Sequence, residues 1–250
     1  MGLYNHQFTF VQDPLTELGN CTGVIISQKR DYFEAFKGCG EAIKYHVIGQ
    51  TPQGNIYLFK CKEQSGWCMR NLCLASQREF DMDFYHIPSE IELSSKNYPP
   101  ALIKAYKPFK CTICCICRPE MIITLNDGQK TLGTVKSIFD LCEPEFDIYD
   151  ENNKLKYIVS AQCCQFGLFC GRTFCGKMCE VEFNILSPES PNVIGKLVRK
   201  SARDCNLITD AENYSIIFPE NSNSYDKLLL IALGLMIDYQ YFENNAGSRV

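Results

Sequence analysis

Near its carboxyl end the chain carries ten consecutive residues without a polar side chain, Leu228 to Ile237, in the segment DKLLLIALGLMIDYQYFE. A helix needs about 20 apolar residues to span a bilayer, and even residues 228–242 fall short because Asp238 and Gln240 interrupt them. A short helix that is apolar on every side is stable where protein encloses it. The segment therefore predicts a core helix over residues 228–242, and insertion of this helix into a membrane is the alternative.

Short strand candidates separated by turn sequences fill most of the chain before that helix. They are AIKYHVIG, NIYLFKC, EFDMDFYHI, MIITL, TLGTVKSIF, FDIYD, KYIVSA and CEVEFNIL. Several alternate apolar with polar residues, as in FDMDF and VEFNI, which is typical of half-buried antiparallel strands. The turn sequences TPQGN, LNDGQK, DENNK and SPESPN lie between them, and NDGQ is a strong hairpin signal. Strands that surround a helix give a closed barrel with the helix along its axis.

A diverged repeat indicates one duplicated β architecture. EFDMDFY leads to a cysteine cluster and then to PEMIITLNDGQKTLGTVKS, whereas EFDIYDE leads to a second cysteine cluster and then to CEVEFNIL and NVIGKLVRKS. Each half is predicted to run strand, strand, cysteine-rich turn, strand, turn, strand. No linker divides the halves, and 250 residues suit one large all-β domain. We therefore predict a barrel domain over residues 42–250, preceded by an N-terminal segment, residues 1–41, that packs partly on the barrel.

The chain contains 16 cysteines, whose role depends on the compartment. The first 13 residues lack the basic start, apolar stretch and cleavage site of a secretory signal, so we expect the chain to face the cytosol. Thiols stay reduced there, which leaves metal binding, lipid attachment and apolar packing as their roles. A net charge of -4 gives no overall attraction to nucleic acid, and no specific nucleic-acid partner is predicted.

The densest group of thiols lies in KPFKCTICCICRPE. Its members are Cys111, Cys114, Cys115 and Cys117. Zinc could use the two-residue gap between the first two of them, together with a second pair from the other half of the repeat. The candidate second pairs are Cys175 with Cys179 and Cys163 with Cys164. Neither pair has a two-residue gap, and the three histidines lie far away in sequence, so zinc is the less favoured interpretation.

Lipid attachment is the second interpretation of the same cluster. Acyl chains on the cysteines would insert into a bilayer, while neighbouring cations would meet anionic headgroups. The cations are Lys104, Lys107, Lys110 and Arg118. Because one acyl chain holds a protein only weakly, several adjacent modifications would be needed. Burial of the thiols as small apolar groups is the third interpretation.

Several motifs, in their order along the chain, resemble the phospholipid scramblase family. They are KPFKC with the cysteines after it, the cysteine cluster before EVEFNI, IGKLVRK, DAENYSIIFP and KLLLIALGLMIDYQYFE. The resemblance covers residues 42–243 and implies a tubby-like fold, which is a closed antiparallel barrel of about 12 strands around a central hydrophobic helix. It also implies that the four cysteines at 111–117 carry covalent palmitate and hold the chain on the cytosolic face of a membrane, with the plasma membrane expected.

The resemblance further implies a calcium-binding loop in DAENYSIIFPEN. Its coordinating positions would be Asp210, Glu212, Tyr214, Ile216, Phe218 and Asn221. An EF-hand loop has oxygen side chains along its length, a glycine at its sixth position and a glutamate at its twelfth. Here Ser215 and Asn221 occupy those two positions, so we expect weak calcium binding. A strand over YSIIF after an acidic turn is the alternative.

The stretch GKLVRKSAR resembles the part of the family described as a nuclear import signal. Its cations are Lys196, Arg199, Lys200 and Arg203. A solvated strand edge that carries four cations is the alternative, because basic residues are common on edge strands. A nuclear pool and self-association of the chain are expectations from the resemblance alone.

No phosphate-cradling glycine loop, nucleophile elbow or zinc-protease helix occurs in the sequence, so no enzyme is predicted. The resemblance implies calcium-dependent, ATP-independent, bidirectional movement of phospholipids between leaflets, with the anionic cytosolic leaflet as partner. Such movement makes and breaks no bonds and requires only a lower barrier for a polar headgroup crossing apolar tails. The alternative is a membrane-anchored interaction or signalling module without intrinsic lipid transport.

Overall fold

The computed structural model describes most of the chain. The described ranges are residues 8–29, 44–64, 79–95, 97–110, 118–125, 128–139, 144–161, 180–200 and 213–242. The strands in these ranges are β1 (Thr9–Phe10), β2 (Gly23–Lys29), β3 (Lys44–Thr51), β4 (Gly54–Glu63), β5 (Phe80–His86), β6 (Ile103–Lys107), β7 (Glu120–Leu125), β8 (Lys130–Ile138), β9 (Glu145–Asp150), β10 (Leu155–Ala161), β11 (Val181–Ser187), β12 (Ser190–Lys200) and β13 (Asn213–Ile217). The helices are α1 (Pro14–Asn20), α2 (Glu90–Ser94) and α3 (Ser224–Ile237), and a π-helical turn, Asp238–Phe242, continues α3.

The strands β2 to β13 form a closed antiparallel barrel. Each pairs with the next strand along the chain, and β13 pairs with β2 to close the ring, with Tyr214 opposite Ile26. The short β1 pairs in parallel with β4 at Ile56 and Tyr57, beyond the residues of β4 that pair with β5. Closure leaves these twelve strands paired on both sides. The predicted closed antiparallel barrel of about 12 strands is confirmed.

Four hairpin connections form at the predicted turn sequences. TPQGN joins β3 to β4, LNDGQK joins β7 to β8, DENNK joins β9 to β10, and SPESPN joins β11 to β12. Positive φ angles occur in three of them, at Gly54 (134°), Gly128 (90°) and Asn153 (58°). Glycine and asparagine adopt this backbone conformation at the lowest cost, which explains why these residues occupy these turn positions.

The predicted repeat is visible in the order of elements. The first half runs β5, β6, a cysteine-rich connection, β7 and β8, and the second half runs β9, β10, a cysteine-rich connection, β11 and β12. Both cysteine-rich connections therefore follow the second strand of their half. In an up-and-down barrel, connections separated by an even number of strands leave from the same end.

The interior of the barrel is occupied by α3. Every residue from Leu228 to Ile237 is buried. Gly133 of β8 lies so close that an added Cβ would meet Leu229 Cδ1 at 2.9 Å, and Gly234 of the helix lies against side chains from β2, β12 and β13. Among the described residues, no helix combines the length and the apolar character needed to cross a membrane. The prediction of a buried core helix is confirmed.

The helix begins at Ser224, one turn before the predicted start at residue 228. Asn223 accepts a hydrogen bond from the backbone N–H of Asp226, and the Asp226 carboxylate accepts one from the backbone N–H of Asn223, which together make a capping box. Lys227 donates to the carbonyl oxygens of Gly19 and Cys21 at 2.7 and 2.9 Å. These bonds attach the start of the core helix to α1, and the polar first turn explains the late predicted start.

The predicted domain boundary at residue 42 is too late. Strand β2, Gly23–Lys29, pairs with β13 on one side and with β3 on the other, so it is part of the barrel wall. Its residues Val24 and Ile26 are buried. The segment predicted to lie partly on the barrel therefore contributes one of its twelve strands, together with α1 and β1.

Candidate functional site at the cysteine end of the barrel

The order of the strands sends every second connection to the same end of the barrel. The connections that follow β2, β4, β6, β8, β10 and β12 leave from one end, which we name the cysteine end. Fourteen of the 16 cysteines fall in these six connections. The connections that follow β3, β5, β7, β9, β11 and β13 lie at the opposite end, which we name the turn end. Thiols that are scattered along the sequence are thus attached to one end of the fold.

The cysteines of the predicted lipidation cluster lie outside the described residues. They are Cys111, Cys114, Cys115 and Cys117, and the same holds for the cysteines proposed as further zinc ligands, Cys163, Cys164, Cys175 and Cys179. Both segments begin and end at the cysteine end of the barrel. Within the described ranges, no group of three or more His, Cys, Asp or Glu side chains could hold a metal ion.

The two cysteines outside these connections are buried, and their thiols are poor nucleophiles. Burial raises the pKa of Cys21 to about 11, although the Lys227 ammonium acts in the opposite direction. Burial also raises the pKa of Cys61 well above its usual value. Because the thiolate is the reactive form, Cys21 and Cys61 are protected from modification.

Lys107, one of the four cations predicted to meet lipid headgroups, points into the barrel. Its side chain is fully buried, and its Nζ lies 5.9 Å from the centroid of the Tyr239 ring. Lys104 lies three positions before it, on the outer, partly exposed side of β6. Lys107 therefore supports the fold, and this role could not be predicted from the sequence because both lysines fall in one basic stretch.

The other two cations of that group, Lys110 and Arg118, lie partly exposed at the mouth of the barrel. Lys110 forms an ion pair with Glu120 at 3.1 Å. Arg118 donates to Ser137 Oγ at 2.9 Å and to the carbonyl oxygen of Ile138 at 3.1 Å. These contacts tie the start of β7 to the neighbouring ends of β6 and β8.

A buried network of polar side chains ends the core helix at the same end of the barrel. Both the Tyr45 and the Tyr214 hydroxyls donate to the Asp238 carboxylate, and Arg199 Nε donates to the Tyr214 hydroxyl at 3.1 Å. All four side chains are buried. Burial and the nearby Asp238 carboxylate raise the pKa of Tyr214 well above its usual value, whereas Arg199 acts in the opposite direction. The network fastens the helix to β3, β12 and β13.

Four residues of the predicted calcium loop are described, and they do not converge. Tyr214, Ile216 and Phe218 are buried at alternate positions, whereas Asn221 is exposed at the turn end. Strand β13 pairs with β12 and with β2, so its backbone carbonyls serve the barrel wall. The alternative, a strand over YSIIF, is present. The described part of the loop does not fit a calcium cage, because Ile216 and Phe218 carry no side-chain oxygen and the Tyr214 hydroxyl serves the buried network. Asp210 and Glu212 lie outside the described residues.

The two described cations of the predicted import signal do not share one exposed surface. Lys196 is half exposed and pairs with Glu182 at 3.2 Å, whereas Arg199 is buried in the network at Asp238. The Lys200 side chain and Arg203 lie outside the described residues. Strand β12 is paired on both sides, so the alternative of a solvated strand edge is wrong.

Exposed carboxylates dominate the described surface of the turn end. They are Asp13, Glu90, Glu92, Glu151, Glu189 and Glu220, whereas the exposed cations described there are Lys130 and Lys154. Lys130 is neutralised by Glu151, at 3.2 Å. An anionic bilayer would repel this end of the barrel.

Sequence reasoning missed two features of the cysteine end. The partners of Asp238 lie far from it in sequence, and the only available signal was a single carboxylate placed directly after ten apolar residues. The second feature is a pair of exposed phenylalanines, Phe109 and Phe139, that flank the cysteine-bearing connection after β6. Phe109 belongs to the quoted stretch KPFKC, but its exposure required the fold.

Comparison with known proteins agrees with the resemblance in the motifs. The sequence model of the family described as Scramblase matches residues 5–244. The chain is similar to phospholipid scramblase 2 of Bos taurus, with 25% identity over 227 residues that cover 90% of this chain and 69% of the relative. It is similar to phospholipid scramblase 1 of Homo sapiens, with 25% identity over 92% of this chain and 66% of the relative. It is also similar to phospholipid scramblase 4 of Homo sapiens, with 27% identity over 57% of this chain and 42% of the relative. The chain thus spans about two thirds, or less, of the length of these relatives, and no solved structure matches it significantly.

Proposed function

The chain belongs to the Scramblase family, and we propose that it promotes bidirectional movement of phospholipids between the two leaflets of a membrane. The match of the family over residues 5–244 is the observation that carries this proposal. The relatives that match over most of this chain are phospholipid scramblases by name. No bond is made or broken in this activity, so it requires no catalytic residue.

The filled interior of the barrel restricts where lipids can move. Because α3 and its buried side chains occupy the axis, the interior holds no passage for a headgroup along the described helix. We propose that headgroups cross where the barrel perturbs the adjacent bilayer, since local thinning lowers the cost of moving a polar group through apolar tails. Movement in both directions down a concentration gradient needs no energy source, so the proposed activity is independent of ATP.

Palmitate on Cys111, Cys114, Cys115 and Cys117 is the proposed anchor to the cytosolic leaflet. Two features support this proposal: fourteen cysteines are attached to one end of the barrel, and exposed carboxylates lie at the other end. A single acyl chain binds a membrane only marginally, whereas several adjacent chains with nearby cations give stable residence. The plasma membrane as location, and any self-association or nuclear pool, are proposals that rest on the resemblance alone.

Calcium dependence is the part of the proposal that rests on the resemblance and not on the geometry. The four described residues of the predicted loop do not form a cage, so no step of lipid movement is assigned to the ion. We expect weak affinity, because a calcium site requires several oxygen ligands in one place.

Reconstitution of the purified full-length chain into liposomes tests the proposed activity. With a fluorescent phospholipid in both leaflets and an impermeant quencher outside, we expect loss of inner-leaflet fluorescence to be faster than in protein-free liposomes and faster with calcium than with a chelator. Quenching confined to the outer leaflet at every calcium concentration would favour the alternative, a membrane-anchored interaction or signalling module. A heat-denatured sample of the same chain controls for leakage.

The proposed anchor predicts a specific map of acylated cysteines. Hydroxylamine, which cleaves thioesters, should release the chain from cell membranes and expose thiols at the four cysteines of residues 111–117. Replacing those four cysteines with serine should have the same effect on membrane binding. The matched internal controls are Cys21 and Cys61, which are buried with raised pKa values and should show no hydroxylamine-dependent labelling. Membrane binding of the serine variant that equals that of the unchanged chain would contradict acyl anchoring.

A further inference from the structure

Three exposed aromatic side chains lie at the cysteine end. Phe109 follows β6 and is 52% exposed, Phe139 follows β8 and is 46% exposed, and Tyr106 near the end of β6 is 39% exposed. We name these three residues the aromatic rim. Large apolar side chains are usually buried, so a group of exposed ones marks a surface that meets another apolar phase or partner.

The strand order places the two phenylalanines of the aromatic rim on either side of β7. Strand β7 lies between β6 and β8, and neighbouring strands are about 5 Å apart, so the two phenylalanines flank the start of β7 across about 10 Å. The ion pair between Lys110 and Glu120 links the residues after β6 to the start of β7. Arg118, just before β7, lies 5.9 Å from the centroid of the ring of Phe139, just after β8, and this contact links the ends of these two strands.

The geometry points to the aromatic rim as a bilayer-inserting edge, in which Phe109 and Phe139 enter the interfacial region of an anionic membrane while Arg118 remains at headgroup depth. Aromatic rings beside cations are the combination that membrane interfaces favour, because the rings replace water with acyl chains and the cations meet phosphate. The inference rests on the proposed function only in naming a membrane as the partner, and it adds residues and an orientation.

Charge and placement favour a membrane over a protein partner. Six exposed carboxylates lie at the turn end, whereas Glu180 is the exposed carboxylate described in the connections at the cysteine end, so an anionic surface orients the barrel with the cysteine end towards it. The connection that carries Cys111 begins two residues after Phe109 and ends directly before Arg118, so the proposed acyl chains leave from the same edge. Insertion of the rings therefore supplies a binding contribution that does not require acylation.

Tryptophan scanning with depth-dependent quenching tests this inference on the full-length chain, after hydroxylamine has removed any thioesters. Trp67 is the only tryptophan, so a Trp67→Phe background accepts single probes at Phe109→Trp and Phe139→Trp. The matched control is Ile91→Trp, because Ile91 is 85% exposed on α2 at the turn end. With vesicles of phosphatidylserine and phosphatidylcholine, we expect a blue shift and quenching by brominated acyl chains for both rim probes and no change for the control. Equal responses at all three positions, or none, would overturn the inference.

A second pair of variants measures the contribution of the rings to binding. The double variant Phe109→Ser with Phe139→Ser should reduce partitioning of the unacylated chain into those vesicles by at least about tenfold. The reason is that each substitution removes the favourable free energy of moving a half-exposed ring from water into lipid. Ile91→Ser should leave partitioning unchanged. If the double variant instead altered only the sedimentation of the chain, the rim would be a contact with a second copy and the inference would be wrong.

The quenching experiment and the reconstitution experiment can contradict this inference and the proposed function independently. Quenching at the rim without lipid movement in reconstituted liposomes would contradict the proposed activity and support this inference. Lipid movement without quenching at Phe109 and Phe139 would do the reverse.

Discussion

Asp238→Ala is expected to lower the free energy of unfolding by about 3–5 kcal/mol, the usual cost of removing one partner from a buried charged network. Asp238 is 2% exposed and accepts hydrogen bonds from the Tyr45 and Tyr214 hydroxyls. Its loss removes the carboxylate that accepts from two buried hydroxyls, and it removes a negative charge from the buried network that contains Arg199. Urea unfolding followed by circular dichroism measures the change.

Two further variants separate the charge from the general effect of a substitution. Glu220→Ala removes an exposed carboxylate at the turn end and should change stability by less than about 0.5 kcal/mol. Combining Asp238→Ala with Arg199→Met should cost less than the sum of the single variants, because it removes both buried charges. If Asp238→Ala were no more harmful than Glu220→Ala, the carboxylate would not be holding the end of the helix.

Local chemistry explains why most of the architecture was predictable from sequence. Turn residues such as Gly54, Gly128 and Asn153 act within a few residues of their own position, so the hairpins they form can be anticipated. The ten apolar residues of α3 are too few for a bilayer and too many for a surface helix, so their enclosure follows from length alone. Alternation was equally informative for β11, whose residues 181, 183 and 185 are buried.

Long-range pairing explains the errors. Strand β2 closes the ring by pairing with β13, almost 190 residues further along the chain, and no local pattern near Gly23 indicates that partner. Strand β5 was predicted to be half buried, yet Tyr85 on its outer side is buried with Tyr57 and Ile87, against Leu93 and Tyr98. The segment around α2 covers that face, which alternation within β5 could not reveal.

In the candidate site too, features set by neighbouring residues were predicted, and features set by partners on other strands were not. The position of the cysteines along the chain was plain, but their attachment to one end follows only from the up-and-down order of the strands. Arg199 looked like one more cation of a basic run, and its burial beside Tyr214 depends on the inward side of β12. Residues that bond to partners on other strands are therefore the ones that sequence reasoning misassigned.

Alkaline pH is expected to unfold the protein steeply, because at least three buried phenols resist ionisation. Burial raises the pKa of Tyr57, Tyr157 and Tyr214 well above the usual value, with the nearby Asp226 and Asp238 adding to it for the last two. In the unfolded chain these phenols ionise near pH 10. Above that pH the unfolded state gives up protons that the native state keeps, so the stability present below pH 10 is lost as pH rises. Each tyrosine contributes about 1.4 kcal/mol per pH unit, and three give a slope of about 4 kcal/mol per pH unit.

Parallel titrations of tyrosinate absorbance and circular dichroism measure this transition, and they should change together for the buried phenols. At such a slope, a domain with about 10 kcal/mol of stability unfolds within about three pH units above pH 10. The matched variant is Tyr57→Phe, because the Tyr57 hydroxyl is buried without a hydrogen-bond partner among the described residues and its removal leaves no group unpaired. This variant should reduce the slope by about 1.4 kcal/mol per pH unit, the contribution of one tyrosine. Ionisation of all the tyrosines near pH 10 with the circular dichroism signal intact would mean that these phenols reach water in the native state, contrary to their burial within and against the barrel wall.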